Sequence, residues 1–353
     1  MYLSSGFTYD SAEQAEHAFK DEIDHFLYSR FANPTVAMFE QRLAALEGAQ
    51  MCVATGSGMS AMFASVACMV SQGDRVVAAA AMFSSCYVVL NEFLPKWGVE
   101  VEFISGSDLK TWERALSKPT KAVFIESPSN PTLDIVDIKM VSDLAHSAGA
   151  LVIVDNVMAS PVLQRPLALG ADVVMYSATK HIDGQGRVLG GAILGDMEYQ
   201  QNYLSQFIRH TGPNLSAFNA WILLKSLETI HMRVNKMSDS AKEIANFLAQ
   251  HKKVSKVNYP GLDSHPGHAI AKRQMSGFGS KKQTKLGMSR AKSVSVATLL
   301  RKKFKQNTKA NGVKTCGIDS NAGCWDKPRA KKFNNFRRPA TQAIHVDIVV
   351  KKQ

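Results

Sequence analysis

The sequence predicts an α/β protein with a mostly parallel sheet and a smaller C-terminal α/β part. Three observations predict it. Short apolar runs recur between residues 75 and 194, helical stretches separate several of them, and a long helical region follows at about 218–251. Strands covered by helices on both faces read as near-continuous apolar runs rather than as alternating ones. The chain has 353 residues, 45% of them hydrophobic and 20% charged, which supports a substantial core. That composition excludes a collagen-like repeat, wholesale disorder and a disulfide-stapled miniprotein.

Residues 1–32 carry little periodicity and read as an arm. A helix starts at Asn33-Pro34-Thr35, with Asn as N-cap and Pro at the first helical position. Val36, Phe39, Leu43 and Leu46 follow at helical spacing, and Gly48 supplies a stop. A second helix is expected from about residue 58 to 71. Strands are expected at 75–80, 99–104, 122–125, 151–154, 173–176 and 191–194, with a helix at 138–147 closed by Gly149. The long helical region contains Trp221, Leu223, Leu224, Leu227, Ile230, Met237, Ile244 and Leu248. This divides the chain into an arm (1–32), a large α/β domain (33–217), the start of a C-terminal domain (218–280) and a tail (281–353).

No apolar run reaches the roughly 18–20 residues that span a bilayer. The first residues lack a basic start, and Asp10, Glu13 and Glu16 follow soon after, so no secretory signal is read. The five cysteines (Cys52, Cys68, Cys86, Cys316 and Cys324) form no CxxC pair. Their odd number fits a reducing cytoplasm. The net charge of +12 is unevenly spread. Residues 281–353 hold 19 Lys+Arg against 3 Asp+Glu, and residues 1–280 are net acidic by four.

In open α/β sheets, ligands bind beyond the carboxyl ends of the strands. Four pieces stand at such ends. Glu126-Ser127-Pro128-Ser129-Asn130-Pro131 follows one strand, Asp155-Asn156 a second, and Ser177-Ala178-Thr179-Lys180-His181 a third, while Thr55-Gly56-Ser57-Gly58-Met59 opens a helix. A Gly/Ser turn at a helix start aims backbone N–H groups at a phosphate. Ser177 and Thr179 add hydroxyls, and Lys180 can condense with an aldehyde. Asp155, ending a buried strand, needs a partner such as a protonated ring nitrogen. Each piece alone has a plain reading as a solvated lysine, a turn former or a helix cap. Together a phosphate, an aldehyde and a basic ring nitrogen describe pyridoxal 5′-phosphate (PLP), an electron sink when its nitrogen is protonated. Cys86 is read as a buried small residue, His181 as a packing or hydrogen-bonding residue, and His265 and His268 as loop residues rather than metal ligands.

Residues 1–280 resemble the Cys/Met-metabolism family of PLP enzymes, the cystathionine γ-synthase group. The resemblance is carried by Tyr28-Ser29-Arg30-Phe31-Ala32-Asn33-Pro34-Thr35, Gly56-Ser57-Gly58-Met59, the segments at 126–131 and 154–156, residues 176–187, and Arg209-His210-Thr211-Gly212-Pro213. His181-Ile182-Asp183-Gly184-Gln185-Gly186 favours the sulfhydrylase branch. The resemblance implies an aspartate-aminotransferase-like (fold type I) architecture. It implies that Lys180 is the cofactor-bonding lysine and proton carrier and that Asp155 pairs with the ring nitrogen. Gly58 and Met59 amides after Ser57, with Ser177 and Thr179, would hold the phosphate. Asn130 would sit by the ring oxygen, and Phe83 would stack on the ring where most of the family has Tyr. Tyr28 and Arg30 would reach a neighbouring subunit's phosphate in a homotetramer, a dimer of dimers. The implied reaction is γ-replacement on an O-acylhomoserine, O-succinylhomoserine first, with sulfide giving homocysteine for methionine biosynthesis. Cystathionine γ-synthase or γ-lyase activity is the alternative.

After Ser280 the family pattern stops. No strand, no Ser-Leu-Gly-type loop and no late carboxylate-clamping Arg is legible, so the small domain reads as incomplete and the tail as frameshifted. An inactive product, or a nucleic-acid binder using the basic tail, are the other readings; the tail lacks interleaved aromatics. An exposed face at Leu224, Leu227 and Ile230 is expected to follow from the missing half of the small domain.

Overall fold

The computed structural model describes residues 1–105, 108–252, 254–286 and 346–348. Seven strands form the main sheet: β1 (Met51–Thr55), β2 (Arg75–Ala79), β3 (Glu100–Ile104), β4 (Ala122–Glu126), β5 (Leu151–Asp155), β6 (Val173–Tyr176) and β7 (Gly191–Gly195). Their order is β1-β7-β6-β5-β4-β2-β3. Strand β7 runs antiparallel to β1 and β6, and the other pairs are parallel. The helices are α1 (Ala12–Phe19), α2 (Pro34–Glu47), α3 (Gly58–Ala67), α4 (Ser84–Val88), α5 (Leu109–Ala115), α6 (Ile138–Ser147), α7 (Ser160–Leu163), α8 (Met197–Tyr199), α9 (Ser205–Thr211), α10 (Ala217–Leu227), α11 (Ile230–Ala249) and α12 (His268–Gln274).

Both sheet faces are buried. Val76, Ala78, Phe124 and Ile153 join one apolar cluster, while Val77, Ala79, Val123, Ile125, Val152 and Val154 join another. The period of two thus splits continuous apolar runs between two cores. The α2 start behaves as its sequence dictates: the Asn33 side chain accepts from the N–H groups of Thr35 and Val36, and Gly48 ends the helix at φ 84°.

Several expectations are corrected. The arm is not featureless: α1 lies within it, and Ser11 Oγ accepts the Gln14 N–H at 3.1 Å. Its short stripe of Ala12, Ala15 and Ala18, with only Ala18 buried, is too weak a pattern to stand out in the sequence. Strand β1 was missed because Met-Cys-Val-Ala-Thr follows a helix stop without alternation; its partner β7 supplies the pairing. The long helical region breaks at Glu228-Thr229 into α10 and α11. Arg233 from α11 donates to Ser226 O at 2.9 Å, satisfying a terminal carbonyl of α10. Finally, Leu224, Leu227 and Ile230 are buried, in one cluster with Val36, Phe39 and Leu43 of α2.

A second sheet has the order β10-β9-β8, with β8 (Val254–Asn258), β9 (Lys282–Leu286) and β10 (Val346–Ile348). A strand therefore does follow Ser280, antiparallel to β8, where the sequence shows only Lys-Gln-Thr-Lys-Leu. Backbone pairing, rather than an apolar run, defines it. Ala241, Ile244, Ala245 and Leu248 of α11 form a small core with Val257 and Tyr259. Apart from β9 and β10, the basic tail, with Cys316, Cys324 and the apolar run at 294–300, lies outside the described residues. No described helix is long and apolar enough to cross a membrane.

Candidate active site

The carboxyl ends of β4, β5 and β6 come side by side, with Glu126 opposite Asp155 and Asp155 opposite Met175 in register. The start of α3 closes in from β1. Ser57 caps α3 in extended backbone, and its Oγ accepts the Ser60 N–H at 3.1 Å. Gly58 packs so tightly on the strand-end turn that an added Cβ would lie 2.5 Å from Ser177 Cβ. Ser57, Gly58 and Ser177, distant in sequence, therefore form one cradle of N–H and hydroxyl donors. Thr179 stands on the same turn. Its Oγ1 donates to Gly190 O at 3.2 Å and accepts the Gly190 N–H at 3.0 Å, so its hydroxyl braces the turn.

Lys180 lies on that turn and is exposed. The turn is tied by Lys180 N–H to Ser177 O at 3.1 Å and by Gly184 N–H to Lys180 O at 2.7 Å. His181 next to it bonds Val157 O and Ser280 Oγ, both at 2.9 Å, and burial lowers its pKa. It is a buried hydrogen-bonding residue, one of the two readings that the sequence offers.

Asp155 is buried, with Oδ1 accepting the Val157 N–H at 3.0 Å. Burial pushes its carboxyl up to about 7, against the pull of that N–H. Phe83 stands between β2 and α4, with its side chain partly open to solvent and its backbone N–H donating to Glu126 Oε2 at 2.5 Å. Asn130 Oδ1 accepts from Lys281 Nζ. Tyr28 and Arg30 lie in the arm: Arg30 donates to Arg209 O and stacks 4.6 Å over Phe31, whose ring also carries Arg209 at 4.3 Å. The Cys86 thiol is buried and its pKa pushed up by burial, then by Asp155 and Glu126, which suppresses a thiolate. His265 Nδ1 accepts the Gly267 N–H at 3.0 Å, and His268 bonds Pro260 O at 2.8 Å.

The profile of the family described as Cys/Met metabolism PLP-dependent enzyme matches residues 1–309. The chain belongs to this family. It is 57% identical over 280 residues to the O-succinylhomoserine sulfhydrylase of Mycobacterium tuberculosis, covering 79% of this chain and 69% of that one. Among solved structures it resembles the cystathionine γ-synthase of Xanthomonas oryzae pv. oryzae in complex with aminoacrylate and cysteine, with TM-score 0.77, 34% identity, and 82% and 73% of the two chains covered. It also resembles a putative O-acetylhomoserine (thiol)-lyase of Campylobacter jejuni that carries N′-pyridoxyl-lysine-5′-monophosphate, with TM-score 0.75, 29% identity, and 79% and 78% covered. The family match runs past Ser280 into the tail, as β9 does.

PLP is the cofactor of this family, and the residues present fit it. The close approach of Gly58 to Ser177 leaves a cradle that a single Cβ would fill. No described partner takes up the Ser177 hydroxyl. Asp155 is a buried carboxyl with no cation among the groups that set its pKa. A basic ring nitrogen meets that need.

Glu126, Tyr176 and Asn156 stand within the sequence motifs, but no role for them is legible there. Tyr176 donates to Glu47 Oε2 and accepts from Asn156 Nδ2 at 2.7 Å. Gln164 Nε2 joins Asn156 Oδ1 at 2.8 Å and Ser127 O at 2.6 Å, and Gln274 of α12 reaches Gln164 at 3.1 Å. This buried chain props the strand ends from below; its signal was the polar residues next to Asp155 and Ser177. Burial raises Glu47 to about 8, so it is largely a neutral acid at pH 7.

Proposed function

We propose that this enzyme replaces the γ-substituent of an O-acylhomoserine, O-succinylhomoserine in particular, with sulfide, releasing homocysteine and succinate. The 57% identity to a relative of that name is the observation that carries the reading, and the strand-end constellation supplies its chemistry. When bound, PLP supplies an electron sink for carbanions at the substrate's Cα and Cβ. Lys180, on an exposed turn with a mobile stem, takes the proton from Cα and moves protons on the neighbouring carbon. Asp155 holds the negative charge opposite the ring nitrogen. The backbone N–H groups of Gly58 and Met59, with the Ser57 and Ser177 hydroxyls, bind the phosphate at the α3 N-terminus. Thr179 supports that cradle through Gly190. Asn130 would hold the ring oxygen, and Phe83 would stack on the ring without adding a hydroxyl. Succinate leaves Cγ with the C–O electron pair, and sulfide then bonds to that carbon as Lys180 returns the proton taken from Cβ.

Tyr28 and Arg30 belong to a second subunit's site in this proposal. The enzyme is then a homotetramer in the cytoplasm, acting in methionine biosynthesis by sulfur transfer. The exposed Tyr2, Leu3, Phe26 and Tyr28 of the arm suit such an assembly. The main sheet and the second sheet belong to separate domains, joined at α10–α11. The test is to supply O-succinylhomoserine with sulfide and cysteine together and to measure both products. Homocysteine in excess is expected. Cystathionine alone would assign the synthase reaction instead.

A further inference from the structure

Beside the expected cofactor contacts lies a carboxyl group with no assigned role. Glu126 ends β4 directly opposite Asp155 at the end of β5. Register neighbours in a sheet project to the same face, so the two carboxyl groups share one buried corner. Glu126 is fully buried and Asp155 nearly so. The Glu126 Oε2 accepts the backbone N–H of Phe83 at 2.5 Å, and the Asn130 N–H also favours this carboxyl. The other oxygen, Oε1, is buried without a hydrogen-bond partner. The charges of both acids raise the Cys86 thiol of α4, Asp155 also acts on Tyr176 from the opposite face of the sheet, and Lys281, engaged with Asn130, draws on Glu126.

Two carboxylates in one water-poor corner cannot both ionise at modest cost. A carboxylate oxygen buried without a donor costs more than the same oxygen in a neutral acid. We propose that Glu126 is a positioning residue: the neutral member of this buried acid pair, it anchors Phe83 by its backbone N–H and leaves the negative charge to Asp155. The electrostatics run the same way, since burial raises Asp155 to about 7 and, together with the Asp155 charge, holds Glu126 well above the carboxylate range. Phe83 begins α4 without any side-chain cap, so the Glu126 contact is what ties its backbone to the sheet. The inference rests on Asp155 being the acid that faces the cofactor ring.

The test uses the full 353-residue chain with Glu126→Gln, Glu126→Ala and Asp155→Asn. PLP affinity and the pH profile of the bound cofactor's visible band are measured from pH 6 to 9. Glu126→Gln keeps an oxygen for the Phe83 N–H and is neutral at every pH. It should bind PLP within about 3-fold of the parent, with an unchanged pH profile. Glu126→Ala leaves the Phe83 N–H unpartnered and should weaken PLP binding by about 10-fold. Asp155→Asn should weaken binding and shift the profile. Were Glu126→Gln to weaken PLP as much as Asp155→Asn, the charge would sit on Glu126 and the inference would fall. Parent-like affinity in Glu126→Ala would remove the positioning role. Parent-like behaviour of Asp155→Asn would overturn the Asp155 reading itself, and with it the inference.

Discussion

Replacing Gly58 with alanine adds one methyl at the tightest point of the cradle proposed to hold the phosphate. That carbon would lie 2.5 Å from Ser177 Cβ, 2.7 Å from its Oγ and 2.8 Å from its Cα. Ordinary contact needs about 3.5 Å or more between carbons, so a separation of roughly 1 Å must be created. Gly58 begins α3 and Ser177 directly follows β6, so neither can yield by a side-chain rotation alone. Overpacking of this kind costs about 1–3 kcal/mol. The shift falls on the donors expected to hold the phosphate, so PLP affinity should drop about 5- to 150-fold at 1.4 kcal/mol per decade. The thermal midpoint of the cofactor-free protein should fall by several degrees. Fluorescence titration with PLP and a thermal melt measure the two effects. Ser177→Gly in the same chain should restore part of the lost stability, since the 2.8 Å approach to the residue 177 Cα persists, while leaving affinity reduced. A Gly58→Ala protein with parent affinity and an unchanged midpoint would refute the cradle as described.

Borohydride reduction should fix PLP on Lys180, and Lys180→Ala should abolish the attachment; peptide mapping that finds another lysine sinks the assignment. Asp155→Ala should still take up PLP but lose about three decades in rate, or roughly 4 kcal/mol, in steady-state assays. Glu40, whose Oε1 accepts the Ala54 N–H at 2.7 Å, is raised by burial to about 7. The folded protein therefore holds this proton more tightly than the unfolded chain. Its stabilisation is complete below about pH 4.5 and is lost as pH rises through about 7. Denaturant melts of Glu40→Gln should show a flatter pH dependence, gaining up to about 3 kcal/mol over the parent at pH 8. The arginines at 290, 301, 329, 337 and 338 lack the family's carboxylate-clamp context. Turnover of O-succinylhomoserine should thus be at least about 100-fold below that of the Mycobacterium tuberculosis relative, with PLP still bound; equal kcat/KM would show that the clamp is supplied some other way.

Much of this protein was decided locally. The α2 boundaries follow from Asn33, Pro34 and Gly48, because caps and positive-φ glycines act within one turn. The helix at Ile138–Ser147 and five parallel strands were legible because apolar runs of four to six residues between turn signals leave little choice. Lys180, Asp155 and the Ser57-Gly58 turn could be found because each sits where a strand or helix ends, and ends are visible in sequence. Long-range geometry was not. Strand β1 depends on its partner β7, and β9 on β8, since a short strand without a pattern exists only through its neighbour's hydrogen bonds. The break between α10 and α11 depends on Arg233 reaching back to Ser226 O. The Thr179 hydroxyl is turned to Gly190 by a contact eleven residues away. Glu126 and Phe83 are 43 residues apart in the chain, and only the pairing of β2 with β4 brings that carboxyl under the Phe83 N–H. Local chemistry sets which residues stand at the strand ends; sheet order, a non-local property, decides which of them meet.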